Sequence, residues 1–353
     1  MKEIAALTSL RFFAAFYVFL FHIHIRWNIT HNIYVSNVLN CGAVGMSVFF
    51  ILSGYILSYR YHKEPHEMNL KRYYKNRFAR IYPIYLTAAI ITTPWIGSTN
   101  AVIIVFLLFT NIMMIQAWFP QLFPFWNCAG SWSLSAEAFF YATFPFLRKI
   151  IKNLSFKDLA LFTGVIYISS VTPGISTILF TQKFEAYYSL PMYRIPEFIF
   201  GICIFELSRN IKNSNYDIPI ILITIAMFFY LSFSNAHIYI THNWIIVPAI
   251  GVIIIFLEKS NSGLVFKFFR SKIFNWLGKI SYCFYSFQAL LIFVLLEIYG
   301  QNSNHKMHIF ELFYILSTLI IISAVGYHLI EEPFRKKIRN FNYDRRIQAG
   351  SDS

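Results

Sequence analysis

The sequence predicts an all-α protein: a polytopic membrane helical bundle of about ten transmembrane helices plus one re-entrant segment. Three observations predict it. The 353 residues are 57% hydrophobic and 20% aromatic but only 13% charged. Apolar runs long enough for a helix to cross a hydrocarbon core recur from end to end. The basic residues are also segregated by loop. Of 30 Lys and Arg, 25 fall in Lys2 and in the stretches Arg60 to Arg80, Arg148 to Asp158, Arg209 to Asp217, Lys259 to Lys279 and Arg335 to Arg346. By the positive-inside rule these stretches are cytoplasmic, so the net charge of +14 is a topology signal and no nucleic-acid partner is expected.

Ile4 to Ile25 is the first span. It is too long for a signal-peptide apolar region, and His24-Ile25-Arg26-Trp27 reads as an interface anchor, so it is retained. Further spans follow near 42–59, 81–96, 101–117, 133–147, 159–180, 194–208, 217–234, 244–258, 280–299 and 310–330. That makes eleven candidates, whereas two cytoplasmic termini require an even number of crossings. The segment Ile81 to Ile96, which contains Pro83 and Pro94, is therefore assigned as re-entrant; the alternative is that 133–147 fails to span. Gly42 to Leu57 carries Gly42, Gly45, Ser47, Ser53 and Gly54, small residues suited to close helix packing. The organisation expected is a membrane domain over 1–334 and a basic cytoplasmic tail over 335–353.

Arg11 and His22 stand inside the first span, where ionisable groups are costly and mark function by default. Eleven steps at about 100° leave roughly 20° of net rotation and an axial separation of about 16 Å, so both share one face. A His near a span end also suits a snorkelling interface role. Arg72, Lys75, Arg77 and Arg80 alternate with Tyr73, Tyr74, Phe78 and Tyr82. Arg offers a planar fork for phosphate and the aromatics offer faces for a base or pantetheine arm, although setting topology alone would also explain the run. Glu137, in Trp132-Ser133-Leu134-Ser135-Ala136-Glu137, could orient an imidazole. It could equally complement a helix dipole behind a Ser133 or Ser135 cap. Arg194 and Glu197 are three apart and can neutralise each other. A structural role is expected for Glu331-Glu332-Pro333-Phe334-Arg335 at the end of the last span. Cys41, Cys128, Cys203 and Cys283 have no metal-ligand spacing, and neither a metal nor a disulfide framework is expected. No GxSxG, HExxH, Walker A or dinucleotide motif occurs.

Read together, these segments resemble the integral-membrane acyltransferase-3 family, whose better-known members O-acetylate bacterial surface polysaccharides. Leu7-Thr8-Ser9-Leu10-Arg11 with His22 resembles the family's opening element, and Gly42 to Tyr55 its second-helix signature. Arg77-Phe78-Ala79-Arg80-Ile81-Tyr82-Pro83 looks like the RxxRxxP element. Trp132 to Glu137 with Phe140-Tyr141 and Pro145 looks like WSLSxE, and Leu277-Gly278-Lys279-Ile280-Ser281-Tyr282 with Tyr285 like the late LGxxSY element. Their order along the chain makes the match specific. One departure is Gln288, where the late element is commonly followed by a His. The short basic tail after the last span resembles members without an added extracytoplasmic domain.

The resemblance implies transfer of an acyl group, usually acetyl, from cytoplasmic acetyl-CoA to a hydroxyl of a cell-surface or lipid-linked glycan. Arg11, Arg77 and Arg80 would hold the donor phosphates. His22 would act as general base or acyl carrier, with Glu137 orienting it. The expected setting is a bacterial inner membrane crossed many times, with acyl-CoA, the glycan acceptor and the bilayer as partners. The competing reading is a transporter or flippase with His22 and Glu137 as a proton relay. It lacks the paired broken helices and internal repeat of many transporters.

Overall fold

The computed structural model describes residues 4–63, 68–126, 131–180, 188–234, 239–300 and 305–337. The tail beyond Lys337, Cys128 and Lys183 lie outside the described residues. Helices dominate: α1 (Ala5–His24), α2 (Ile33–Asn40), α3 (Gly45–Tyr61), α4 (Leu70–Thr92), α5 (Ala101–Ile112), α6 (Ser131–Lys152), α7 (Phe156–Phe180), α8 (Pro191–Ser208), α9 (Asp217–Ser232), α10 (Asn243–Lys259), α11 (Leu264–Phe269), α12 (Lys272–Tyr299) and α13 (Ile309–Gly326). Among the described residues the only β pairing is an isolated bridge between Ser214 and Ser260. Five stretches are long and apolar enough by themselves to cross a membrane: Ala5–His24, Ile33–Tyr61, Phe156–Leu179, Lys272–Tyr299 and Ile309–Lys337.

The bundle has a basic end and a far end. Ser9 Oγ donates to the Phe269 carbonyl near the start of both α1 and α12, while Trp27 meets the Tyr299 ring where those helices finish. These two helices thus run in parallel from the basic end. The other contacts order the rest. Arg148, near the end of α6, donates to the Tyr61 carbonyl at the end of α3 over 2.7 Å, so both finish at the basic end. Asn37 of α2 donates to the Ser232 carbonyl at the far end of α9. Helices α1, α3, α4, α6, α7, α8, α9, α10, α12 and α13 accordingly run end to end in alternating directions along the chain, and α11 lies across the basic end.

Close helix contacts fall where glycine lets backbones meet. A Cβ on Gly54 would lie 2.0 Å from the Phe198 carbonyl oxygen, and one on Gly201 2.1 Å from that of Ile51, so α3 and α8 press together at two reciprocal points. Gly278 of α12 meets the Thr8 carbonyl of α1 in the same way, at 2.1 Å. Gly42, Gly45 and Gly54 serve the packing role expected of them, whereas Ser47 and Ser53 use their hydroxyls in hydrogen bonds. The outer faces are apolar, with Leu161, Ile168, Ile218, Phe310 and Phe313 each well exposed, as a hydrocarbon solvent allows.

The re-entrant segment is present, but not over Ile81 to Ile96. Helix α4 runs unbroken through Pro83 from Leu70 to Thr92. It continues through a 3-10 turn at Thr93–Trp95 to the far end, where Trp95 Nε1 donates to Glu297 near the close of α12 at 2.8 Å. At mid-depth, the Tyr282 hydroxyl of α12 donates to the Ile81 carbonyl. Proline removes one amide donor, but packed neighbours hold the helix on both sides of the gap. The segment that turns back is the next one. Helix α5 has 12 residues, about 18 Å, and ends level with the middle of α4: the Tyr85 hydroxyl donates to the Asn111 carbonyl at 2.7 Å. Met114 then takes a left-handed conformation (φ 55°), and 3-10 turns at Gln116–Trp118 and Pro120–Leu122 return the chain to Phe125, whose carbonyl accepts from Gly97 at the far end. Ser135 of α6 pins the reversal. Its Oγ donates to the Met114 carbonyl at 2.7 Å and accepts from the Ala117 amide at 3.2 Å.

Candidate active site

Helix α1 is wedged between α12 and the start of α3. Phe12 and Phe19 pack on Phe284 of α12, while Ala14, Tyr17, Val18 and Phe21 abut Gly42 and Gly45. At about 100° per residue, Arg11 and His22 fall between these two faces and share the seam, as their spacing predicts. His22 is half-buried in the last turn of α1. Its Nδ1 is buried without a partner among the described residues, its ring lies 5.1 Å from that of Phe21, and its carbonyl accepts from Arg26 Nη1 at 2.9 Å. An imidazole nitrogen held dry and unpaired is costly unless something else uses it.

Gln288 of α12 faces the same seam. It lies one turn beyond Phe284, which packs on α1, and three residues beyond Tyr285, which reaches Phe49 of α3 and exchanges a 2.7 Å hydrogen bond with Ser133 of α6. Gln288 is fully buried, and its Oε1 has no partner among the described residues. Ser133 and Ser135 thus tie α6 to α12 and to the re-entrant turn.

Glu137 sits lower in the bundle. Its Oε1 accepts from Ser53 Oγ of α3 at 2.8 Å and from the Tyr141 hydroxyl one turn along α6. The structure does not bring Glu137 to His22. Glu137 lies at the depth of Ser53, whereas His22 stands beside Phe21, which abuts Gly42; eleven residues along the chain correspond to about 16 Å of helix axis. The pairing failed because Glu137 lies nearly two turns inside α6, beneath Trp132, and its carboxylate turns toward α3.

Around and below Glu137 the arginines gather. Arg77 is buried on α4, with its guanidinium 5.7 Å from the Tyr141 ring centroid and its Nε without a partner among the described residues. Tyr73, one turn back, donates to the Tyr141 carbonyl at 3.0 Å and fixes α4 against α6. Arg80 and Arg11 are half-buried and lie within electrostatic reach of Glu331. Arg72 is exposed and Lys75 half-buried, so from the basic run the fold draws Arg77 and Arg80 inward.

Three members were missed by sequence reasoning. Glu331, assigned there to a structural end-cap, is 3% exposed inside a π-helical turn at Tyr327–Glu331, a geometry frequent at functional sites. It accepts from Cys283 Sγ at 3.4 Å and pairs with Arg335 at 3.7 Å. Arg60, at the end of α3, feels the charges of Arg77, Arg80 and Arg335. Arg11, Arg80 and Arg335 therefore lie within electrostatic reach of one buried carboxylate, and Arg60 stands within reach of Arg77, Arg80 and Arg335. The sequence signal available was Glu331 and Arg335 one helical turn apart, which reads equally well as a surface pair.

A family model described as an acyltransferase domain matches residues 4–327. Acyltransferase MdmB of Streptomyces mycarofaciens is 26% identical over 239 residues, covering 59% of this chain. A putative O-acetyltransferase of Staphylococcus aureus (strain COL) is 22% identical over 370 residues, or 96% of this chain. O-acetyltransferase OatA of Staphylococcus aureus (strain NCTC 8325 / PS 47) is 23% identical over 368 residues, or 95%. The chain spans 58% of the length of each of these relatives. No solved structure matches.

Proposed function

The chain belongs to the acyltransferase-3 family, and from that premise we propose that it moves an acetyl group from acetyl-CoA to a hydroxyl of a cell-surface or lipid-linked glycan. In this reading it does so across a bacterial inner membrane that it crosses many times, with both termini cytoplasmic. The observation that carries the reading is the separation of two polar sites: arginines converge at the basic end, and His22 waits at the far end of the same seam. A donor with several phosphates suits the first, because guanidinium forks bind phosphate oxygens two at a time. Arg11, Arg77 and Arg80 hold those phosphates, joined by Arg60 and Arg335. Glu137 is a positioning residue that fixes Tyr141 above them.

The pantetheine arm then lies along the seam toward Gln288 and His22. In the base route, His22 takes the proton of the acceptor hydroxyl as its oxygen bonds to the carbonyl carbon. The carbon–sulfur bond breaks, and the proton passes to the departing thiolate, leaving an ester and a free thiol. In the carrier route, an imidazole nitrogen first replaces sulfur on the acyl carbon and the sugar oxygen then replaces nitrogen. Mass spectrometry after exposure to donor alone separates the routes, since only the carrier route acylates His22.

The donor site is tested with Arg77→Lys and Arg80→Lys together. Lysine keeps the charge and hence the topology but loses the bidentate fork, so acetyl-CoA binding to the detergent-solubilised protein is expected to weaken at least tenfold. Wild-type affinity in the double variant would assign both arginines to topology alone.

A further inference from the structure

Helix α5 stops halfway down the bundle and leaves the half-span beneath it uncovered. Its last carbonyls are held by α4: the Tyr85 hydroxyl donates to Asn111 at 2.7 Å and the Tyr82 hydroxyl to Ile112 at 3.3 Å. The chain then reverses at Met114 and returns to the far end. Below this tip the outer side of α4 and α6 stays open, with Phe78 55% exposed and Phe146 65% exposed. The two helices touch each other there, since Tyr73 and Tyr74 of α4 donate to the Tyr141 and Ala142 carbonyls of α6 at 3.0 Å each. They form the floor of a groove. Directly under the tip the groove deepens into a crevice of about 390 Å³, lined by Phe78, Tyr82, Ile112, Met113, Met114 and Ala138.

The groove has an apolar head and a charged mouth. On α4, Lys71, Tyr74, Phe78 and Tyr82 recur every three or four residues and share one face; Ala138, Ala142, Pro145 and Lys149 do the same on α6. Both stripes finish at the basic end in an exposed lysine, Lys71 on one and Lys149 on the other. Arg77 and Arg80, which the donor reading uses, project from other sides of α4. From Tyr82 down to Lys71 is about 16 Å of helix axis. Half of a hydrocarbon core is about 15 Å. The occupant that matches has an alkyl chain one leaflet long and a negatively charged head.

We propose that this groove binds an anionic phospholipid of the leaflet that meets the basic end. One acyl chain runs up the α4 and α6 floor to the underside of α5, and Lys71 and Lys149 hold the headgroup. The chain completes the half-span that α5 leaves and supports the Met114 reversal from below. A lipid-linked acceptor has its head at the opposite end in the reading given above, so its anchor is not the occupant. The site rests on the bilayer-spanning part of that reading and needs nothing of the donor.

Native mass spectrometry of the delipidated full chain in detergent tests it, with phosphatidylglycerol or phosphatidylcholine of identical acyl chains added in the absence of acetyl-CoA. The wild type should retain one phosphatidylglycerol with an apparent affinity at least fivefold above that for phosphatidylcholine, the scale of one lysine at an anionic headgroup. Lys71→Gln with Lys149→Gln should abolish the difference between the two lipids. Ala138→Leu, which fills the crevice, should weaken both at least tenfold. The lysine variant changes only exposed positions and decides the matter if Ala138→Leu does not fold. No retained lipid, or a wild-type preference in the lysine variant, overturns the site. Equal retention of the two lipids by a wild type that still inserts into phosphatidylcholine nanodiscs overturns the groove and leaves the spanning reading intact. Tighter retention of a polyprenyl phosphate, sensitive to the same substitutions, would make the groove the seat of an acceptor anchor, which also overturns it. A chain that holds phosphatidylglycerol in the expected pattern but does not bind acetyl-CoA sinks the donor reading and leaves this one standing.

Discussion

His22 and Glu331 show how differently one buried ionisable group can be supported. Glu331 has partners for its buried carboxylate, since it sits among arginines and accepts from a cysteine thiol. Among the described residues His22 has an unpartnered Nδ1 and no carboxylate partner, so in the proposed reading its chemistry would come from what binds beside it. His22→Ala is therefore expected to lower acyl transfer at least 100-fold, the scale of a lost general base, while the protein still inserts and still binds acetyl-CoA. Surface-glycan mass spectrometry in cells expressing the variant checks this, and full acylation by a stably expressed variant would remove His22 from the mechanism. Glu331 calls for a different measurement. If the arginines hold the donor as proposed, Glu331→Gln takes away a carboxylate that would compete with its phosphates for Arg80, Arg11 and Arg335, so acetyl-CoA should bind more tightly, and with a steeper dependence on salt, than in the wild type. Weaker or unchanged binding would mean that Glu331 does not face the donor.

Elements explain where sequence reading succeeded and where it slipped. Helix α1 was legible because an apolar run of the right length needs no partner to be recognised, and the seam position of Arg11 and His22 follows from helical geometry alone. The identity of the re-entrant element was not, because Pro83 was weighed as a helix breaker when packing by Tyr282, Tyr85 and their partners carries the helix past it. The real reversal depends on Met114 and on Ser135, 21 residues further along, a contact that no local pattern announces. With native cysteines removed, cysteines at Thr99 and Gln121, both exposed, should react with an impermeant thiol reagent from the same side of intact cells. Reaction from opposite sides would mean that α5 crosses. The α3–α8 contact makes a second prediction at this scale. Gly54→Ala drives a methyl into the Phe198 backbone, which cannot swing aside, and should cost about 1–3 kcal/mol, read as a lowered unfolding temperature. An unchanged unfolding temperature would show that the two backbones can separate freely.

At the scale of the whole molecule, the feature to explain is that charge concentrates at one end while the imidazole of His22 lies toward the other. A single-sided enzyme would have no reason to separate them by most of a bundle's length, because each buried polar group costs more the deeper it stands in an apolar surround. A protein that takes its donor from one compartment and its acceptor from another would have a reason: in the reading proposed above, the seam from Arg11 to His22 would let an acyl group travel while the phosphates stay behind. Sealed vesicles reconstituted with the purified chain make this testable. Acetyl-CoA supplied only on the face where the basic loops lie should acylate a lipid-linked sugar whose headgroup is confined to the opposite leaflet, with free coenzyme A appearing on the donor side alone. His22→Ala should stop the transfer without changing donor binding, and Arg77→Lys with Arg80→Lys should raise the donor concentration needed for half-maximal rate at least tenfold. Transfer that requires donor and acceptor on one face would show that the two polar sites do not communicate through the bundle, and the arginines and His22 would then belong to separate activities.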